Sequence, residues 1–420
     1  MSEPSGEAPS GGTAPEGRRA GDATRIPGPH SISERDATTP AGPGAARGPL
    51  APRPVARRRL LAAAATALAG VVGGTAAARL RGPTSWVGEA LGTRPRHVDA
   101  APATVHVAPG ASIQAAVDRA PAGATVVVPE GTYHETVVIE KPLALIGAGY
   151  DRTRVVADRS RFAWSGRTRE RYIVGALNVR DTRDVLIAGF TVQGALEGVW
   201  VSASRRVTIS DCMSCAHDSS GYYLWGSQSC AVLRSEGSDC AVGIYQGGSV
   251  DIRIAGNVFR RNRGGRVPHL DDDVYPGIGV LIGNLSRGCR VEANLLADNV
   301  DWGLGTSLGV HEITTLANTI RGQPVGVFVG ERGLRMREDN VAGNADWGVE
   351  AAVEVDAREV WWGAPDGPSG AGPGSGDRVP ATVRFRPWRS APSRLAPVGP
   401  RATPPMADEA NEGRPSPTDA

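Results

Sequence analysis

Arg263, Arg266, His269, Asp271, Asp272 and Asp273 all fall within one stretch, RGGRVPHLDDDVYPG, residues 263–277. Three successive carboxylates offer oxygen ligands to a hard cation such as Ca²⁺. Without a cation they crowd, and one of them holds its proton above the usual range. A solvated acidic loop is the plainer reading. A second pair, His217-Asp218, has the residue types of general acid–base work. Cys212-Met213-Ser214-Cys215 has metal or redox spacing, but no second CxxC follows, and five cysteines is an odd count. Buried positions in a repeat explain them more simply.

Such residues work only if some element holds them, and here the elements repeat. Gly198, Gly221, Gly243, Gly279, Gly303, Gly326 and Gly348 each open a short apolar segment (GVWV, GYYL, GIYQ, GVLI, GLGT, GVFV, GVEA), at gaps of 23, 22, 36, 24, 23 and 22 residues. The gap of 36 contains the stretch 263–277, and removing about 14 residues restores the period. Each unit then carries two more short segments, such as Ile252–Ile254 and Val258–Phe259. A lone unit cannot bury its apolar face or satisfy its strand edges. Stacked units do both, each strand pairing with its counterpart about 4.8 Å above and below. Ile244 is then expected between Tyr222 and Val280. Val199, Val201, Leu224, Ile282, Val327 and Val329 face one shared interior.

Polar columns support the stacking. Cys212, Ser235, Asn257, Asn294, Asn318 and Asn340 stand 14 or 15 residues after their glycines. A second column holds His217, Cys240, Asn262, Asn299 and Asn344. Stacked amides hydrogen-bond along such a column, and Asn tolerates left-handed backbone. Outward on the glycine-led strand lie Trp200, Tyr223, Tyr245, Leu281, Gly305, Phe328 and Glu350. The loops entering that strand carry Asp301-Trp302 and Asp346-Trp347. Trp200, Tyr223 and Tyr245, joined by Trp302 at the strand's entry, form either a platform for sugar rings or a self-packed stack.

With this repeat the chain resembles the pectin-lyase-like family: all-β, a single-stranded right-handed parallel β-helix. The match covers about Thr104–Trp388. It begins with SIQAAVDRAPAGATVVVPEGTYHETVVIEKPLALIGAG (112–149), where Ser112 caps a short helix closing the N-terminal end. It ends with WWGAPDGPSG and GSGDRVPATVRFRPW, within Trp361–Trp388. The resemblance implies a substrate cleft on the outer face of the glycine-led strands. It also implies lyase or C5-epimerase chemistry on an acidic polysaccharide or cell-envelope glycan, with Ca²⁺ stabilising developing charge. Expected catalytic residues are His217, Asp218, Arg263, Arg266, His269 and Asp272. Trp200, Tyr223, Tyr245 and Trp302 would bind substrate, and Asp271, Asp272 and Asp273 would hold metal. The Pro268-His269-Leu270-Asp271 run matches only a fragment of the epimerase Asp-Pro-His-Asp motif. Resemblance to NosD-type proteins implies an alternative, copper handling through Cys212, Met213, Cys215 and His217. A non-catalytic carbohydrate-binding solenoid is the third.

Composition limits partners and place. A formal charge of +2 over 420 residues gives no basic excess for nucleic acid. Residues 1–55 are Gly-, Pro-, Ala- and Arg-rich and are expected to be disordered. ARRRLLAAAATALAGVVGGTAAARL, Ala56–Leu80, resembles a twin-arginine export signal; its uncharged run 60–78 is alternatively a membrane anchor. A linker (81–103), the β-helix (104–388) and a disordered tail (389–420) complete the organisation. Either reading of 56–80 puts the β-helix outside the cytoplasm.

Overall fold

The computed structural model describes residues 103–163, 172–267, 273–307, 309–394 and 399–400. The export segment 56–80 lies outside the described residues, and no described helix is long and apolar enough to cross a membrane. The chain winds as an all-β parallel solenoid whose coils contribute to three sheets, of 12, 9 and 9 strands. The first sheet carries the glycine-led strands, the second has twelve strands, and the third completes each coil.

Strand pairing follows the repeat. Ile244 is in register with Tyr222 on one side and Val280 on the other. Val199, Val201, Tyr222, Leu224, Val280, Ile282, Val327 and Val329 lie in one buried core with Ile209, Val232, Ile254 and Val291 of the second sheet. Alternation of side chains along each strand puts one set of residues in this interior and the other on the outer face. Coil after coil enters the second sheet through left-handed backbone, at Asp184, Arg206, Ser229, Asp251 and Glu312 (φ 53 to 56). The bend recurs because the coils stack in register.

Two polar ladders run along the interior turns. In the first, the backbone N–H of Cys212 donates to Ser235, Ser235 to Asn257, Asn257 to Asn294 and Asn294 to Asn318. The next member is Asp339, which accepts from Asn318. This corrects the expected Asn340, which points the other way and exchanges two hydrogen bonds with Ser393. In the second, Cys240 donates to Asn262 and Asn262 to Asn299. It closes where Asn344 donates to Asp377. All these bonds point toward the C-terminal end, so each ladder finishes on an acceptor, a carboxylate.

The ends are sealed differently. Helix α1 (Ile113–Arg119) is capped by Ser112, whose Oγ accepts from the Ala115 N–H at 3.1 Å. The Gln114 amide accepts from Val138 N–H (2.6 Å) and donates to Val138 O (3.2 Å), satisfying the open edge of the first sheet. At the other end the parallel pair Pro368–Gly370 and Gly376–Val379 packs on the last glycine-led strand. Of the described residues beyond Trp388, Arg389 N–H donates to Val360 O at 3.0 Å and Gly399 N–H to Gly256 O at 2.9 Å.

Candidate binding face on the first sheet

The stretch 263–277 leaves the solenoid as an antiparallel hairpin, Gly265–Val267 against Asp273–Tyr275. Arg263 N–H and Gly264 N–H donate to Cys240 O and Ala241 O, and Ile278 N–H also donates to Ala241 O. The chain therefore departs and returns at one rung. Asp301 fixes the return, accepting from Gly277 N–H at 2.8 Å. Arg263 is exposed at the base. For Arg266 and Asp273 the structure describes the strand backbone, while His269, Asp271 and Asp272 lie outside the described residues.

The outward column is in register as expected, from Trp200 through Tyr223, Tyr245, Leu281, Gly305 and Phe328 to Glu350. Trp200 and Tyr223 stack at 4.6 Å, and Tyr245 meets Tyr223 edge-on at 4.7 Å. It is not an open platform. Trp200, Tyr223, Tyr245 and Trp302 are all buried, in a second apolar core on the outside of the sheet. Tyr172 packs 6.1 Å from Trp200 and Tyr275 of the hairpin 6.0 Å from Tyr245. Bare aromatic surface of this size is costly in water, so packing neighbours over it is strongly favoured.

The column opens toward the C-terminal coils. Gly305 has no side chain, and Trp302 lies across it to stack on Phe328, centroids 4.2 Å apart and 10° from parallel. Phe328, Trp347 and Glu350 are half-buried and Asp346 is exposed. Arg378 of the end cap sets its guanidinium 4.1 Å above the Trp347 ring. The half-open part of the face is thus Phe328, Trp347, Glu350 and Arg378, backed by Trp302.

His217 belongs to the second ladder, not to this face. It is buried; its Nδ1 accepts from Ala195 N–H, and its Nε2 lies 3.1 Å from Ser214 Oγ. The Ser214 hydroxyl donates to Gly221 O, so Nε2 carries the ring proton. Burial drives the imidazole pKa down to about 4. Both ring nitrogens are thus hydrogen-bonded inside the turn, away from the outer face of the sheet. Asp218 sits on the rim, ion-paired with Arg159.

The copper cluster does not form. The Cys212 thiol is buried and donates to Ser210 O, while Cys215 receives a bond from Gln193 on the third sheet. Among the described residues no three His, Cys, Asp or Glu side chains are grouped to hold a metal ion.

Residues 155–350 match the family described as "Right handed beta helix region". The match agrees with the parallel β-solenoid that the strand pairing shows. No curated protein matches the chain. Among solved structures it is similar to an alginate lyase from Paenibacillus sp. str. FPU-7, at 14% identity over 68% of this chain and 97% of that one, TM-score 0.40. It is also similar to the A-module of an Azotobacter vinelandii mannuronan C-5 epimerase, at 15% identity over 67% and 95%, TM-score 0.37. A polygalacturonase from Erwinia carotovora ssp. carotovora matches at 13% over 64% and 84%, TM-score 0.45. Likenesses this distant concern the fold alone.

Of the residues that form this face, Phe328 and Trp347 stand out in the sequence, while Tyr172 and Arg378 do not. Only position relative to the repeat could have found them, and both lie outside it.

Proposed function

We propose that this chain is an extracytoplasmic glycan-binding β-helix, taking an acidic polysaccharide across the C-terminal coils of its first sheet. One observation carries the reading: the Trp302–Phe328 stack continues into a half-open surface at Trp347, Glu350 and Arg378. Phe328 and Trp347 pack against the outer apolar core yet stay half-buried, so part of each ring is left uncovered. Flat rings bordered by a carboxylate and a guanidinium suit sugars, which pair apolar ring faces with a polar edge.

Binding is favoured over turnover. The outward column holds one carboxylate, Glu350, rather than the carboxylate pair that glycoside hydrolysis uses. His217 is spent in its ladder. Ca²⁺ at Asp271–Asp273 is a separate expectation that this reading does not use.

The test is titration of the purified chain with polyuronates and neutral glycans, following tryptophan fluorescence, alongside an absorbance assay for unsaturated products. Saturable binding without product is expected, weakened at least tenfold in Phe328→Ala. Product formation, or binding indifferent to Phe328, would refute it.

A further inference from the structure

We infer that Arg378, delivered by the C-terminal cap, is the residue that recognises a carboxylate of the bound glycan. The inference rests on the reading above for the class of ligand, and on separate observations for the residue.

The position of Arg378 is fixed by its neighbour. Asp377 ends the second ladder, accepting from Gly343 N–H (2.8 Å), Asn344 N–H (3.1 Å) and Asn344 Nδ2 (2.7 Å). Gly348 makes this approach feasible, since a Cβ there would stand 2.7 Å from Asp377 Cβ. With Asp377 locked inward, alternation along the strand turns Arg378 outward, over Trp347. The last polar rung therefore places a guanidinium on the half-open face.

The surroundings of that guanidinium set it apart from many on the solenoid. Arg206, Arg234, Arg260, Arg261 and Arg337 each hold a carboxylate of a neighbouring coil within 3.0 Å. Arg378 is exposed and lies on an aromatic face, and among the described residues no carboxylate is within ion-pair distance of it. Asp377 is committed to the ladder; Asp346 and Glu350 are the other acids on this end of the face. Ring contact restrains the guanidinium while leaving its N–H edge for a planar oxyanion, which it can hold by two parallel bonds. A uronate carboxylate has that shape, and the sugar that bears it would lie along Phe328.

The experiment compares polygalacturonate with its fully methyl-esterified form, the same backbone without charge. Binding is measured for the full chain and for Arg378→Gln, Arg378→Lys and Phe328→Ala. Arg378→Gln is expected to weaken the acidic polymer about tenfold and leave the ester unchanged, with Arg378→Lys in between. If Arg378→Gln binds the acidic polymer as the parent does while Phe328→Ala loses both, Arg378 is not the recognition residue and the binding face stands. If Phe328→Ala binds both polymers as the parent does, the face itself is wrong, and the inference goes with it. Equal loss of both polymers in Arg378→Gln, with a lowered melting temperature, would make Arg378 a packing residue and overturn the inference.

Discussion

Asn318 gives both its backbone N–H and its side-chain amide to one oxygen, Asp339 Oδ1, each at 2.8 Å. The other oxygen of Asp339 takes the Thr315 hydroxyl. A run of amides that all donate in one direction thus finishes on a carboxylate sealed from water.

That carboxylate carries a pH dependence. Burial raises its pKa to about 6, from an ordinary 3.8. A raised folded-state pKa means the stability it contributes is complete below 3.8 and lost as pH rises through about 6. Asp339→Asn keeps an acceptor for Asn318 and gives Thr315 a donor in place of the charge. It is expected to stabilise at pH 8 by roughly 2–3 kcal/mol, since a tenfold change in acidity corresponds to about 1.4 kcal/mol. Urea midpoints should show the gain shrinking toward zero by pH 4.

His217 slopes the other way. Its pKa is depressed from 6.5 to about 4, so its contribution is present above 6.5 and lost as pH falls toward 4. Asn stands at Asn262 and Asn299 of the same ladder. His217→Asn should therefore melt like the parent at pH 8 and above it at pH 4.5.

Breaking the ladder in the middle is a harsher change. Asn294 Oδ1 accepts from both the backbone and the side-chain amide of Asn257, and its Nδ2 donates to Ile254 O. Asn294→Ala removes all three of these bonds; Asn257 Nδ2 keeps Val232 O, while the Asn257 backbone N–H loses its acceptor, at about 1–3 kcal/mol for an unsatisfied buried group. Loss of about 3 kcal/mol or more is expected in denaturant unfolding. A loss under about 1 kcal/mol would mean water has replaced the amide.

The thiols offer a test of burial that needs no mutation. Burial pushes Cys212 up to about 12 and Cys230 and Cys289 to about 11, and Cys240 higher still. Of the cysteines, only Cys215 is partly exposed. Partial burial raises the Cys215 thiol too, so native protein at pH 8 should react with a disulfide reagent at that one site, more slowly than a free thiol, and at all five cysteines in urea.

Ile254 lies at the centre of the shared interior, in register with Val232 and Val291. Ile254→Asp puts an unpaired charge there and should unfold neighbouring coils together, seen as lost far-ultraviolet dichroism at 25 °C.

The architecture was legible because each strand's partner is its own repeat: the spacing of glycines alone puts Ile244 between Tyr222 and Val280. The ladder was legible to its last rung, where the coil after Val325–Val329 is shorter and an acid takes the amide's place. Exposure was not legible. Whether Trp200 faces water depends on excursions such as those carrying Tyr172 and Tyr275, which obey no period. Arg378 was invisible for the same reason, since the cap that carries it lies beyond the last glycine-led segment.

The hairpin at 263–277 departs and returns on the carbonyls of Cys240 and Ala241, so topologically it is a side branch on an unbroken spool. The coils before and after it pair directly with each other, Val242 with Ile278 and Ile244 with Val280, as though it were not there. The branch is also a cover, because its Tyr275 lies 6.0 Å from Tyr245 on the buried aromatic column.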